Sequence, residues 1–192
     1  MLRRLYDWTI NLAKHRFSVW FLGIISFVES SFFPIPPDTL LIPMIIARPR
    51  RAFYLAAVAT LGSVFGAMLG YMIGSVFLDS LGMPILEFYG KSDAFQEFTN
   101  LYNTYGAVLI LVSGITPFPF KIITILSGMT GLDFWSFILF CIIARSIRFF
   151  LEAALLWKFG DPIRMFVEKY LPWVATGALA MLLGGFAVLY WI

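Results

Sequence analysis

The sequence predicts an all-α polytopic membrane protein built around an inverted repeat, and three observations carry this prediction. Of its 192 residues, 60% are hydrophobic and only 13% are charged, whereas a soluble domain carries about 25% charged residues. Several apolar runs reach the roughly 20 residues that a helix needs to cross a bilayer. Two further apolar runs are each interrupted by a P-x-P pair that stands two residues ahead of a charge.

The first 16 residues predict an amphipathic helix that lies at the membrane interface. Arg3, Arg4 and Lys14 are interspersed with Leu, Tyr and Trp, and this pattern differs from the short apolar core of a cleavable signal peptide. His15, the single histidine, stands among basic residues. We expect it to face lipid headgroups.

Three segments are long enough to cross the membrane completely, at 52–78, 134–157 and 173–192. The stretch 84–103 mixes aromatic residues with Glu, Asp and Lys. It is predicted to lie in the interface as an anchoring amphipathic segment.

Two other apolar segments are predicted to be re-entrant hairpins. Segment 17–47 and segment 104–131 are broken by prolines, which are Pro34, Pro36 and Pro37 in the first and Pro117 and Pro119 in the second. About ten apolar residues follow each break, and at about 1.5 Å per residue they reach roughly 15 Å. That is about half of the ~30 Å hydrocarbon core, so each segment is expected to turn near the midplane and leave on the side where it entered.

The distribution of basic residues predicts a cytoplasmic N-terminus. With that orientation the outer side holds only Lys91, and the hairpin at 17–47 returns the basic stretch 48–51 to the cytoplasm. Ten basic residues then lie on the cytoplasmic side: Arg3, Arg4, Lys14, Arg16, Arg48, Arg50, Arg51, Lys158, Arg164 and Lys169. This asymmetry follows the positive-inside rule. A single crossing by 17–47 would instead require the arginines of 48–51 to be translocated.

An internal repeat follows from this topology. Each unit contains one hairpin and the span after it, and the two hairpins open to opposite sides of the membrane. Inverted repeats with broken helices that meet at the midplane are common in transporters, and the breaks mark the binding site. Non-helical backbone is tolerated at that depth only where it is buried in protein or lines a wet cavity.

Six ionisable residues fall inside the membrane-embedded segments, and their formal charges sum to zero: Glu29, Asp38, Lys121, Arg145, Arg148 and Glu152. Each unpaired charge costs about 2.5–3.5 kcal/mol at the centre of a lone helix. Pairing or hydration in a polar cavity is therefore expected.

Glu29 and Asp38 are the candidates for transport and proton coupling. Two carboxylates at membrane depth favour proton uptake, because both desolvation and like-charge repulsion disfavour the ionised form. Asp38 could instead cap the helix that returns from the break.

Lys121, Arg145 and Arg148 are predicted to compensate these acids or to contact a lipid phosphate. Arg145, Arg148 and Glu152 share one helix face, which leaves open an ion pair between Arg148 and Glu152 within the helix. In that case Arg145 and Lys121 are the better phosphate candidates, since the arginine fork matches phosphate oxygens.

Small residues along the span 52–78 predict close helix packing. They are Gly62, Gly66, Gly70 and Gly74. The single cysteine, Cys141, lies within an apolar span. It predicts neither an internal disulfide nor a Cys-based metal site, and no metal or other cofactor is expected.

At these residues the chain resembles the DedA family, whose shared unit is also called the VTT or SNARE-associated domain. Three motifs covering about 20–157 carry the resemblance. They are Glu29-x4-Pro34-x-Pro36-x-Asp38, the glycine series Gly62-Ser63, Gly66, Gly70-Tyr71 and Gly74, and the stretch from Gly114 to Lys121 followed by Gly128. Many bacterial members carry arginines beside the proline of the second loop. Gly114 and Phe120 occupy those places here, as in a smaller YqaA-like branch.

The resemblance implies a lipid transporter of flippase or scramblase type that moves a phospholipid or a polyprenyl-phosphate lipid between leaflets. Its partners would be membrane lipids, with homo-oligomerisation open, and its location the bacterial inner membrane. The alternative is a non-transporting factor for membrane integrity or assembly that acts through protein partners.

An enzyme is not expected. The embedded acids lack the Gly-x-Gly-Asp motif of intramembrane aspartyl proteases, and His15 is not at membrane depth. The net charge of +3 is explained by the cytoplasmic loops, so a nucleic-acid partner is not expected either.

Overall fold

The described part of the chain consists of helices joined by short turns. The computed structural model describes residues 17–32, 36–88, 90, 92–116 and 118–160. The predicted interfacial helix 1–16, the predicted span 173–192, and Pro34 and Pro117 lie outside the described residues. Seven α-helices are described: α1 Ser18–Ser31, α2 Asp38–Ala47, α3 Ala52–Phe77, α4 Met83–Phe88, α5 Ser92–Ile115, α6 Phe120–Met129 and α7 Phe134–Phe159. A 3₁₀ turn (Pro49–Arg51) precedes α3 and a π turn (Leu78–Gly82) follows it.

Helices α3 and α7 are long and apolar enough to cross a membrane. Each has 26 residues, which corresponds to about 39 Å at 1.5 Å per residue. They run antiparallel, because Phe53 at the start of α3 packs on Trp157 near the end of α7, while Tyr71 near the end of α3 packs on Phe134. Helices α1, α2 and α6 are apolar but short, with 14, 10 and 10 residues.

The chain reverses direction between α1 and α2. Helix α1 runs parallel to α3, since Gly23 meets Gly62 and Phe27 meets Gly66 at a constant offset. The end of α2 then comes back beside the start of α1, where Ser18 and Met44 line one small crevice. Pro37 precedes the first residue of α2 with φ −64°, the backbone angle that proline imposes and that a helix start accepts.

Helices α5 and α6 form a second hairpin. The Tyr102 hydroxyl lies 3.0 Å from the Ser127 hydroxyl, and the Asn103 amide donates to the Thr130 carbonyl at 3.0 Å. The α-helix α5 is continuous across the expected boundary between 103 and 104, because the chain there becomes more apolar without a proline that would interrupt the backbone. Helix α4 ends at Phe88 and α5 begins at Ser92, and Gly90 between them has φ +62°.

The four glycines of α3 serve both hairpins. A Cβ on Gly62 or Gly66 would overlap the backbone of α1, and a Cβ on Gly70 or Gly74 would overlap Thr124 or the backbone of α6. In lipid the hydrophobic effect does not drive helices together, so association depends on such close packing and on hydrogen bonds. One half of α3 thus packs against each hairpin.

The two units run in opposite directions. In the first, α1 runs parallel to α3. In the second, α5 runs parallel to α7, with Gly106 beside Leu132 and Gly114 beside Ala144. Because α3 and α7 are antiparallel, the hairpins approach each other from opposite ends of the bundle.

Each unit has its own apolar cluster. The first hairpin packs with the first half of α3 and the second half of α7, through residues such as Leu41, Leu55 and Phe149. The second hairpin packs with the other halves, through residues such as Ile110 and Phe137. The two ion pairs join the units, because each links a carboxylate of the first hairpin to an arginine of α7.

Candidate functional site

The tips of the two hairpins meet at the middle of α7. Arg145 and Arg148 flank the midpoint of this 26-residue helix. The tips also contact each other directly, because the Thr124 hydroxyl on α6 donates to the Ser30 carbonyl on α1 at 3.1 Å. Half-helices from both ends of the bundle therefore converge on one pair of arginines.

Arg145 binds both hairpins. Its Nη2 lies 3.1 Å from Glu29 Oε2 and 3.4 Å from Ser30 Oγ on the first hairpin. Its guanidinium lies 3.8 Å from the centre of the Phe120 ring on the second, a stacking geometry that favours a cation over the ring face. The side chain is only 3% exposed. Arg145 is thus a buried, paired cation.

Arg148 also joins the hairpins. Its Nη2 donates to Asp38 Oδ2 at 2.7 Å, and its Nη1 donates to the Thr116 carbonyl at 2.8 Å. The carbonyl belongs to the break between α5 and α6, where a backbone acceptor has no helical partner. The arginine fork therefore satisfies a carboxylate of one hairpin and the open backbone of the other.

The first hairpin's two acids have separate partners. From the sequence we expected the carboxylates of Glu29 and Asp38 to lie side by side. In the structure each carboxylate instead pairs with its own arginine on α7. The side chain of Asp38 accepts no hydrogen bond from the backbone of α2, because Oδ2 accepts from Arg148 and Oδ1 has no partner. Its position in the first helical turn leaves the carboxylate free to reach Arg148.

Glu152 and Lys121 make no ion pair among the described residues. Within the described residues, Arg148 pairs across the bundle with Asp38 and makes no ion pair with Glu152 one turn further on. Glu152 is a neighbour of Asp38 instead. Lys121, which is half-buried at the start of α6, makes no ion pair in that part of the chain.

Sequence reasoning missed a belt of hydroxyl groups beside the ion pairs. The Ser30 and Ser63 hydroxyls lie 2.6 Å apart, and the Ser31 hydroxyl donates to the Gly66 carbonyl at 3.0 Å. Hydroxyl groups often join helices in this way inside membranes. The signal was present in Glu29-Ser30-Ser31, three consecutive polar residues at the end of an apolar helix.

The site is built for charge and hydrogen bonding. The described residues hold no group of three or more His, Cys, Asp or Glu that would bind a metal ion. They bring together two guanidinium groups, three carboxyl groups and several hydroxyls. Such a constellation suits recognition of a polar or charged group, because arginine forks bind carboxylate and phosphate oxygens.

Comparison with known proteins identifies the family. Residues 35–158 match the VTT domain. The chain belongs to the VTT-domain family, the DedA family. The matched region of this VTT-domain protein contains Asp38, Arg145, Arg148 and Glu152, while Glu29 lies just before it.

Two bacterial relatives resemble this VTT-domain protein over most of their length. An uncharacterized protein of Haemophilus influenzae is 34% identical over 168 residues, which cover 85% of this chain and 87% of the relative. An uncharacterized protein of Histophilus somni is 35% identical over the same shares. No solved structure matches the chain.

Proposed function

We propose that this VTT-domain protein moves a lipid between the two leaflets of a membrane. The observation that carries the proposal is the meeting of two hairpins, each with a ten-residue helix after its turn, at paired arginines in the middle of a membrane-length helix. Broken helices that converge at mid-depth form the substrate sites of many transporters. In this arrangement the hairpins are re-entrant and α3 and α7 are the crossing helices.

The charges define where a headgroup would travel. Arg145 and Arg148 hold the hairpins together, and Lys121 is the embedded base that no carboxylate neutralises among the described residues. A lipid headgroup with a phosphate would move past Lys121 and exchange with the arginine partners, while its acyl chains stay in the bilayer. Phospholipids and polyprenyl-phosphate lipids both carry the required phosphate. The process involves no covalent chemistry, so the protein would not be an enzyme.

The proposal also covers location and coupling. The two relatives are bacterial, and the basic residues favour a cytoplasmic N-terminus in the inner membrane. At least one of Glu29 and Asp38 would couple the movement to protons, because both are acids in the moving hairpin. Self-association is compatible with this scheme.

Transport by purified protein in vesicles tests the proposal. Fluorescent phospholipids with different headgroups are placed in both leaflets, and a membrane-impermeant quencher reports the fraction that reaches the outer leaflet. We expect faster exchange than in protein-free vesicles, and a several-fold slower rate for Lys121→Gln, which removes a charge without breaking an ion pair. Lys158→Gln, at the exposed end of α7, is the matched control and should leave the rate unchanged.

The exchange rate also distinguishes lipid transport from the alternative function, a membrane factor that does not transport. Exchange no faster than in protein-free vesicles would reject transport. It would favour a membrane factor that acts through protein partners, a role that the mutual neutralisation of Arg145, Arg148, Glu29 and Asp38 also suits. Unchanged rates and unchanged pH dependence in Glu29→Gln and Asp38→Asn would reject proton coupling by these residues.

A further inference from the structure

The site contains more carboxyl groups than arginines. Glu29 is held by Arg145 and Asp38 by Arg148, which leaves Glu152 as the third acid. Glu152 lies one helical turn beyond Arg148 on α7, and Arg148 binds Asp38, so Glu152 and Asp38 are neighbours. Two acids from different helices therefore lie near Arg148, which is paired with only one of them, Asp38.

Each acid of this pair has one oxygen without a partner. Asp38 Oδ1 and Glu152 Oε1 are buried and accept no hydrogen bond, and Asp38 as a whole is only 3% exposed. A buried acceptor left without a donor costs about 1–3 kcal/mol, and more when it is charged. A single proton between the two carboxyl groups would satisfy both.

Among the described residues, no side chain of the surrounding helices donates a hydrogen bond to either of these two oxygens. The side of α3 that faces this region is apolar, with Leu55, Ala56 and Ala59. On α1 the acid Glu29 is engaged with Arg145, and Lys121 on α6 makes no ion pair among the described residues. The net charge is then that of Arg148, Asp38 and Glu152 alone. With both carboxylates ionised it is −1, and one bound proton makes the group neutral.

We propose that Asp38 and Glu152 share one proton, and that with Arg148 they form the proton-binding site of this protein. Glu152 is the residue that this assignment adds, while Glu29 keeps its separate ion pair with Arg145. Water supplies the proton and receives it back. Its release leaves one net negative charge and two repelling carboxylates between α2 and α7, which favours movement of the first hairpin away from α7. The role in transport rests on the proposed function, but the proton site does not.

Infrared spectroscopy of the purified protein tests the site without transport. A protonated carboxyl group gives a C=O stretching band, separate from the amide bands, that shifts in D₂O. At neutral pH we expect this band in the wild type and its loss in Glu152→Gln, whose amide can donate to Asp38 in place of the proton. Glu29→Gln and the exposed Glu97→Gln should keep the band at full intensity.

Two results would overturn the assignment: absence of the band in the wild type, or its persistence in Glu152→Gln. A second measurement is thermal stability against pH. Stability should fall in the wild type as the pH rises and the shared proton leaves, while Glu152→Gln should lose this dependence. An identical dependence in both proteins would contradict the proposal. A protein that holds the proton but moves no lipid would end the transport proposal alone.

Discussion

The Arg148 guanidinium donates a hydrogen bond of 2.7 Å to the Asp38 carboxylate, across 110 positions of sequence. This bond joins the start of a ten-residue half-helix to the centre of a full-length helix. The Asp38 side chain is only 5% exposed and the Arg148 side chain 17% exposed, so the pair is largely shielded from water. Because the same arginine holds the Thr116 carbonyl, one side chain fixes both hairpins.

Removal of either partner of this bridge should destabilise the protein strongly. Breaking a buried ion pair leaves an uncompensated charge, which costs about 3–5 kcal/mol. We expect large losses of thermal stability in detergent for Arg148→Gln and for Asp38→Asn. The double variant should lose less than the sum of the two, because the second change removes the stranded charge.

The matched control for this comparison of single and double variants is Lys158→Gln, since Lys158 is exposed at the end of the same helix. Strict additivity of the Arg148 and Asp38 losses would contradict a direct interaction between them.

The packing of α3 should depend on Gly66 far more than on Gly23. A Cβ on Gly66 would overlap the backbone of Phe27, whereas a Cβ on Gly23 would touch only a Val58 methyl group at 3.5 Å. Overpacking costs about 1–3 kcal/mol or more, and backbone yields less than a side chain does. Thermal unfolding should show a clear loss for Gly66→Ala and almost none for Gly23→Ala. Equal losses would show that α1 and α3 are not in close contact at Gly66.

The start of α7 should depend on pH through Asp133. This carboxylate caps the helix by accepting a hydrogen bond from the Ser136 backbone N–H at 2.8 Å, and this bond lowers the pKa of Asp133. A lowered pKa in the folded state means that the stabilisation is present above the ordinary aspartate range and is lost as the pH falls through the folded value.

Thermal unfolding between acidic and neutral pH measures this contribution. We expect a small loss for Asp133→Ala at neutral pH that disappears in acid. Asp93→Ala, at an exposed position in the first turn of α5, serves for comparison. A loss of equal size at every pH would assign the effect to something other than the ionised cap.

The orientation is tested by thiol labelling in intact cells. Arg50 and Asp93 are both exposed, and the topology puts the first in the cytoplasm and the second outside. An impermeant thiol reagent should label Arg50→Cys only after the membrane is opened and Asp93→Cys immediately. The native Cys141 is buried and should not react in either case. Immediate labelling at Arg50→Cys would overturn the orientation.

Much of the architecture could be predicted from composition and breaks in the chain. The spans around α3 and α7 follow from apolar length, and the proline pairs mark where each hairpin turns. The partners of the charges could not be predicted, because sequence spacing places Arg148 next to Glu152 on one helix face and says nothing of a carboxylate on another helix. The long α5 was missed because a change from polar to apolar residues resembles a boundary, whereas the backbone has no reason to stop there.

A measurement of the depth at which the two hairpin tips meet tests most directly whether the hairpins are re-entrant. Phe32 lies at the tip of the first hairpin and is 58% exposed, and Thr116 lies at the tip of the second. Spin labels on Cys at these two positions, in protein reconstituted in a bilayer, report both their separation and their depth. We expect a short separation, with both labels near the bilayer centre and accessible to oxygen. Labels at opposite membrane surfaces, or a separation close to the membrane thickness, would contradict the re-entrant arrangement.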